Sequence, residues 1–453
     1  MEQVKSFTEG KILGPLIKFT IPVMIALVLQ SLYGAVDLMI VGQYSNSAQV
    51  SAVATGSQIM MTLTHVIAGL SMGTTILLGH QIGEGRSKEA GKSMGASIVF
   101  FAIVALLCST LMLLNVRSVA DIMNAPKEAF KDTCSYIQIC SWGFIFVVAY
   151  NLIGSLFRGL GNSKVPLITV AIAAVFNVFG DLFLVGYFNM GASGAAYATV
   201  GAQAISVVIS MFMVKGMHLP FEMHKEDIRF DMPITKELLK YGLPLALADF
   251  LVGLSFLIIL AIVNSLGVIA SAGVGVAEKV CGFIMLIPSS FGQSMAAFVA
   301  QNYGAKKLDR AHKALCYGIA VSLVIGASMG LFAFFKGDLL CGLFAKDPAA
   351  IQAGWDYLKA YAIDTVLTSF FFCMNGYFNG CGETKFVMAQ NIIGAFCVRV
   401  PVSYLMSLVT PVSLFYIGLA TPSSSLLQVI MCLIYFFTVA KKKEKAYLET
   451  TTA

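Results

Sequence analysis

Charged residues are scarce in this chain of 453 residues: Asp, Glu, Lys and Arg make up 12% of the sequence, whereas hydrophobic residues make up 58%. Soluble domains carry about 25% charged residues, so this chain has too few polar side chains to cover a surface exposed to water. Its ten cysteines form no CxxC pair and show no regular spacing, which favours neither a disulfide framework nor a zinc site. The composition therefore predicts a protein embedded in lipid.

Two motifs that would indicate an enzyme are missing. The phosphate-loop pattern GxxxxGK(S/T) does not occur, because Gly91-Lys92-Ser93 lacks the first glycine, and HExxH is absent as well. We therefore expect neither ATP hydrolysis nor another enzymatic activity, and no cofactor.

The sequence contains a long internal repeat. The segment Phe157–Lys164 (FRGLGNSK) recurs as Phe378–Lys385 (FNGCGETK), with Phe, Gly, Gly and Lys displaced by 221 residues. Nearly the same displacement relates Lys18–Pro22 to Lys240–Pro244. Solenoid repeats have periods of about 20–50 residues, so each copy here is a whole helical bundle. Duplicated halves within a membrane are typical of secondary transporters.

Apolar runs of about 20 residues are long enough to cross a bilayer. Six can be placed in each half, at 16–42, 50–79, 93–115, 134–157, 165–188, 191–215, 238–264, 270–299, 314–336, 353–378, 386–409 and 414–440. This predicts an all-α integral membrane protein with twelve transmembrane helices in two six-helix lobes related by pseudo-two-fold symmetry. The predicted parts are an N-terminal lobe at 1–216, a cytoplasmic linker at 217–237 and a C-terminal lobe at 238–453.

The basic residues are distributed unevenly between the two sides of the membrane. Of the 30 Lys and Arg, 22 lie in the tails and connections on one side or near the span ends next to them, and 6 lie likewise on the other side. Only Lys279 and Arg399 lie well inside the predicted spans. The positive-inside rule assigns the richer side to the cytoplasm. We therefore expect a multi-pass protein of the inner (plasma) membrane with both termini in the cytoplasm. Topology then accounts for the net charge of +6, and no nucleic-acid partner is expected.

Polar residues within the spans of the first half form a pattern. An ionisable side chain at the centre of a bilayer costs about 2.5–3.5 kcal/mol, so Asp37 on span 1 and Asp181 on span 5 need an explanation. Asn177 lies four residues before Asp181 on the same helix face, and Thr199 lies on span 6. These oxygen donors suit Na⁺ or a shared proton. Alternatively, the acids face water in a cavity or form hydrogen bonds that serve packing.

The repeat makes this set asymmetric. A shift of 221 residues places Asp37, Asn177, Asp181 and Thr199 on apolar positions, namely Ile258, Val398, Val402 and Ala420. We therefore expect one cation site, in the N-terminal half.

The second half has charged residues of its own within spans. Asp249, Glu278 and Asp364 are candidates to line a substrate cavity, together with Gln203, which follows Thr199 by four residues. Arg399 and Lys279 either join a structural network of ion pairs or contact the substrate.

Several segments together resemble the multidrug and toxic compound extrusion (MATE) family, in the branch that has an acid on span 1. They are Pro22–Asp37, the loops at Gln81 and Gln301, Arg158–Lys164, Asn177–Asp181, and Gly191–Thr199 with Gln203. The resemblance covers essentially the whole chain and implies that Asp37, Asn177, Asp181 and Thr199 match positions that bind the coupling Na⁺ or H⁺. Two residues depart from the family pattern: Gly34 stands where Asn is frequent, and Leu182 where Pro often follows the span-5 acid.

These observations favour a secondary antiporter that exports lipophilic, mostly cationic drugs or toxic compounds in exchange for inward Na⁺ or H⁺ by alternating access. Export of a monovalent cation against a negative interior costs about 2.3 kcal/mol per 100 mV, and an ion gradient can supply it. The expected partners are small lipophilic cations and membrane lipids, and we expect a monomer. Alternatives are a flippase for lipid-linked saccharides or other amphiphiles, and a membrane-embedded enzyme or channel.

Overall fold

The structure, a computed structural model, describes residues 7–217, 219–221 and 223–449, and these residues form helices and no β-strand. The helices of the first half are α1 (Leu13–Tyr44), α2 (Ser47–Gly83), α3 (Ser87–Leu114), α4 (Val116–Ile122), α5 (Phe130–Trp142), α6 (Phe144–Gly159), α7 (Lys164–Asp181) and α8 (Gly191–Lys215). Those of the second half are α9 (Met232–Asn264), α10 (Val268–Gly304), α11 (Leu308–Gly342), α12 (Pro348–Gly380), α13 (Thr384–Ile392), α14 (Val400–Ser407), α15 (Leu414–Gly418), α16 (Ala420–Tyr435) and α17 (Lys441–Glu449). A short 3₁₀-helix covers Lys225–Asp227, and π-helical turns cover Leu182–Tyr187, Ile393–Arg399 and Phe436–Ala440.

Each of the twelve predicted spans corresponds to one helix or to consecutive helical segments. Within the described residues, ten helical segments are long and apolar enough to cross a membrane, and the pair α5 and α6, bent by 51°, makes up to eleven. The remaining predicted span, 353–378, lies within α12, which is 33 residues long. It is less apolar because it carries Asp356, Lys359 and Asp364. The predicted all-α membrane architecture is confirmed.

The chain divides into two compact units, called here unit 1 (residues 21–246) and unit 2 (residues 7–20 and 247–449). Residues 7–20 belong to unit 2, where Arg310 donates hydrogen bonds to the backbone carbonyl groups of Phe7, Glu9 and Gly10. Both α1 and α9 contain an internal proline, Pro22 and Pro244, close to the residues at which the unit changes. The predicted parts 1–216, 217–237 and 238–453 stay predictions, and residues 1–6, 218, 222 and 450–453 within them lie outside the described residues.

The repeated glycine motif has the same conformation in both halves. Helix α6 ends at Gly159 and α12 at Gly380, and in each copy the second glycine has a positive φ, 77° at Gly161 and 82° at Gly382. Glycine adopts this left-handed backbone conformation without the steric strain that a Cβ causes. The requirement for a sharp turn at the helix end thus explains why both copies have glycine there.

Small residues allow close approach of helices inside each unit, as is typical of membrane proteins. In unit 1, Ala192, Ala195 and Ala196 of α8 are fully buried in a core that also contains Ile40 of α1 and Val53 of α2. In unit 2, α10 and α12 approach each other at Gly292 and Gly376, where a Cβ on Gly376 would lie 2.3 Å from the carbonyl oxygen of Gly292.

Substitution of Gly376 by Ala is expected to destabilise the protein. The added methyl group would collide with the backbone of α10, and overpacking of this kind typically costs about 1–3 kcal/mol. Thermal unfolding of the detergent-solubilised protein measures the effect. The matched control is Gly282→Ala on α10, where a Cβ would meet nothing within 4 Å. Equal unfolding midpoints for the two variants would contradict the close approach of α10 and α12.

Candidate cation-binding site

Three helices of unit 1, α1, α7 and α8, bring the four predicted cation ligands together. Thr199 on α8 donates a hydrogen bond from Oγ1 to Oδ2 of Asp37 on α1, over 3.1 Å. Asn177 on α7 donates from Nδ2 to Oγ1 of Thr199 over 3.4 Å. Asp181 lies one turn after Asn177, close enough to Asp37 for the two carboxylates to interact electrostatically. The fold therefore assembles one polar cluster from residues as many as 162 positions apart in the chain.

The cluster is buried and has more hydrogen-bond acceptors than donors. The exposed fractions of Asp37, Asn177 and Asp181 are 4%, 1% and 0%. Four of their oxygen atoms are buried without a hydrogen-bond donor: Oδ1 of Asp37, Oδ1 of Asn177 and both carboxylate oxygens of Asp181. Burial of an ionised carboxylate is costly unless it is paired, and two neighbouring carboxylates repel each other. The cluster therefore needs a positive charge, which either a proton or a bound Na⁺ can supply.

Local sequence determines how α7 and α8 meet at this cluster. A Cβ on Gly180 would lie 3.0 Å from Cβ of Ala198, so the glycine allows α8 to come close enough for Thr199 to reach Asn177. The π-helical turn begins at Leu182, directly after Asp181. Wide turns of this kind occur frequently at functional sites. Here the wide turn directly follows the acid.

Tyr136 is a neighbour of the cluster that the sequence did not reveal. It lies on α5, is 2% exposed, and is within electrostatic range of both Asp37 and Asp181. It is one of 16 tyrosines in the chain, and its spacing does not distinguish it from tyrosines that only pack. Its phenol adds a hydroxyl group to the surroundings of the two acids.

The predicted substrate-cavity residues fall into two groups. In unit 2, Asp364 on α12 is buried, Glu278 on α10 is half-buried, and Cys281 lies within electrostatic range of both. By contrast, Asp249 on α9 and Lys279 on α10 are exposed, and Lys279 forms no ion pair with any residue that the structure describes.

Two further predicted residues have unsatisfied polar atoms. Gln203 of unit 1 lies one turn after Thr199 and has a buried Oε1 without a hydrogen-bond donor. Arg399 of unit 2 is 6% exposed and lies within electrostatic range of Asp364. The roles of these residues in substrate binding stay predictions.

One segment matches the GxSxG pattern of serine hydrolases, Gly69–Gly73. In hydrolases this serine sits at a sharp turn between a strand and a helix, where it is accessible. Here the segment lies in the interior of α2, and Ser71 is fully buried. The pattern therefore does not form a nucleophile elbow.

The chain is similar to known membrane transporters over almost its full length. The MatE family profile matches residues 22–183 and again residues 244–405, so the two matches begin 222 residues apart, in agreement with the repeat. The probable multidrug resistance protein YpnP of Bacillus subtilis is 26% identical over 88% of this chain and 90% of that protein. The probable multidrug resistance protein NorM of Thermotoga maritima is 26% identical over 89% of this chain and 86% of that protein. A solved structure described as the outward-facing conformation of a multidrug resistance MATE family transporter of the MOP superfamily matches with a TM-score of 0.91 and 19% identity, covering 99% and 100% of the two chains.

Neutralisation of either acid is expected to abolish the response of the protein to the coupling cation. Asp37→Asn and Asp181→Asn each remove one negative charge without adding bulk, and the double variant should be little worse than either single one because the residues act as a unit. Tryptophan fluorescence during titration with Na⁺ and with acid measures the response. The control is Asp356→Asn, which removes an acid whose partner is Lys359 at 2.8 Å on the surface. A wild-type response in Asp37→Asn or Asp181→Asn would refute the site.

Proposed function

The chain belongs to the MatE family, and from this membership we propose that it is a secondary antiporter that exports small lipophilic, mostly cationic compounds in exchange for inward Na⁺ or H⁺. Two relatives named as probable multidrug resistance proteins match it over nearly their whole length, which supports efflux of several drugs. The cluster at Asp37 and Asp181, with its four unpaired oxygen atoms, is the observation that supports coupling to a cation.

The chemistry of the cluster is compatible with either cation. A proton would be shared between the carboxylates of Asp37 and Asp181, which interact electrostatically. Sodium would also be able to use the side-chain oxygens of Asn177 and Thr199, because hard cations prefer oxygen ligands. In both cases one positive charge offsets the repulsion between the two acids.

Coupling requires that the cation favours one conformation over another, since a ligand with equal affinity for two states shifts nothing. The position of Asp37 on α1 supports such a link. Residues 7–20 belong to unit 2 and residues from 21 onwards belong to unit 1, and helix α1 is continuous from Leu13 to Tyr44. A change in the charge of Asp37 therefore acts on a helix that contributes to both units.

The acids of unit 2 support a cationic substrate class. Glu278 and Asp364 both lie within electrostatic range of Cys281, and a buried carboxylate favours a cationic partner that replaces its lost hydration. We propose that these two acids bind the positive charge of the exported compound. The cation cluster of unit 1 and this acid pair would then have separate roles in the cycle.

Efflux from reconstituted vesicles under imposed gradients tests the function. Purified protein is reconstituted into vesicles loaded with ethidium, and a gradient of Na⁺ or of H⁺ is imposed with the higher concentration outside. The vesicles should then export the dye, and a gradient of one of the two ions should be sufficient to drive export. Asp37→Asn should bind the dye but fail to export it. Glu278→Gln and Asp364→Asn should weaken dye binding and keep the fluorescence response to the cation.

Two results would overturn this proposal. Export at the same rate without any ion gradient would contradict secondary antiport. Loss of the cation response in Glu278→Gln, with dye binding unchanged, would show that the roles of the two units are reversed.

A further inference from the structure

Arg399 is a buried base that has no acidic partner in direct contact. It is the last residue of the π-helical turn Ile393–Arg399 and is 6% exposed. Its Nη1 donates a hydrogen bond to Oγ of Ser255 over 3.3 Å, and its guanidinium lies 4.5 Å from the centre of the Phe256 ring. Its Nε has no partner, and it forms no ion pair within the part of the chain that the structure describes. Its positive charge is thus buried and only weakly compensated by direct contacts.

Asp364, an acid near Arg399, also lacks a direct partner. Asp364 is 1% exposed, and neither of its carboxylate oxygens accepts a hydrogen bond from a described residue. It lies one turn after Tyr361 and within electrostatic range of Arg399. Glu278 lies one turn before Cys281, and Cys281 and Tyr361 belong to one buried core. Phe256, the ring that the Arg399 guanidinium covers, packs against the same core. With both acids ionised, the two carboxylates and one guanidinium carry a net charge of −1.

The cluster of unit 1 has the same number of acids. Asp37 and Asp181 carry a net charge of −2 when both are ionised, and no described Lys or Arg forms an ion pair with either of them. The repeat displacement places Asn177 on Val398, directly before Arg399. The second half thus has a basic side chain, Arg399, on the segment that corresponds to α7. In the first half, α7 has the hydrogen-bond acceptors of Asn177 and Asp181.

We propose that Arg399 is a resident cation of unit 2, which holds the charge of the Glu278–Asp364 neighbourhood at −1 and thereby makes the exporter selective for monovalent over divalent organic cations. This inference rests on the proposed function, because it assigns a charge preference to the same substrate site. A dication would bring one positive charge more than the neighbourhood can neutralise. Loss of the guanidinium charge would leave the neighbourhood with a net charge of −2 and favour a dication.

Arg399→Gln tests the preference, because glutamine removes the charge and keeps a donor for Ser255. The probes are ethidium, a monocation, and methyl viologen, a dication, and their dissociation constants are measured in detergent without any ion gradient. The ratio of the two constants should shift towards the dication by about tenfold or more, the effect expected for one charge at a partly buried site. Arg399→Lys keeps the charge and should keep the wild-type ratio, although its donor geometry differs.

Lys279→Gln is the matched control, because it removes a base from the same unit at an exposed position on α10. It should leave the ratio unchanged. A second measurement uses Arg399→Ala, in which low millimolar guanidinium should raise the unfolding temperature and restore ethidium selectivity. The same salt should do neither in Arg399→Lys.

Three results would decide against the inference, and a fourth would decide only against the proposed function. An unchanged ratio in Arg399→Gln, or an equal change in Arg399→Gln and Arg399→Lys, would show that Arg399 acts through packing. A wild-type protein that bound neither probe would refute the cationic substrate class together with this inference. A wild-type protein that bound both probes but exported neither under an ion gradient would refute antiport alone and leave the charge preference established by the ratio.

Discussion

The bilayer core offers no water to a polar side chain, and this constraint shapes the whole chain. A buried polar group must find its partner within the protein or in a bound ion. Most polar groups of this protein obey the rule locally: Thr368, for example, donates its hydroxyl to the backbone of its own helix. Among the buried atoms that no described residue satisfies, four oxygens belong to the cluster around Asp37 and Asp181. In the proposed function, a transiently bound cation is the partner that these oxygens lack.

The two halves use one scaffold and differ in their charges. The glycines at Gly161 and Gly382 share a backbone conformation that other residues adopt only with strain, which explains why duplication preserved them. The ionisable residues of the spans are not under that constraint, and they differ between the copies. In the proposed function, the acids of unit 1 bind a diffusible cation, whereas unit 2 has the guanidinium of Arg399 within electrostatic range of Asp364. In the proposed cycle, this difference separates the coupling ion from the exported compound.

Sequence reasoning located the helices well, because a span needs a long apolar run and little else. It also predicted the residues of the polar cluster at Asp37 and Asp181, since i, i+4 spacing on one helix and rare acids in apolar segments are visible in the sequence; that this cluster binds a cation stays a prediction. It missed the bend between α5 and α6, because this depends on a contact across helices: a Cβ on Gly143 would lie 2.3 Å from Val200. It missed Tyr136 for the same reason. The sequence also did not predict the short helices α4 and α17 or the π-helical turns, because they have no characteristic spacing of apolar residues.

Counting the coupling cations bound per chain tests the central claim most directly. Equilibrium binding of radioactive sodium to the purified protein, with simultaneous measurement of the protons released, gives the total number of positive charges held by the site in each condition. The account predicts one cation equivalent per chain, either Na⁺ or H⁺, and its loss in Asp37→Asn. Retention of that equivalent in Asp37→Asn, or a second equivalent that disappears only when the acids of unit 2 are neutralised, would contradict a single cation site in the first half.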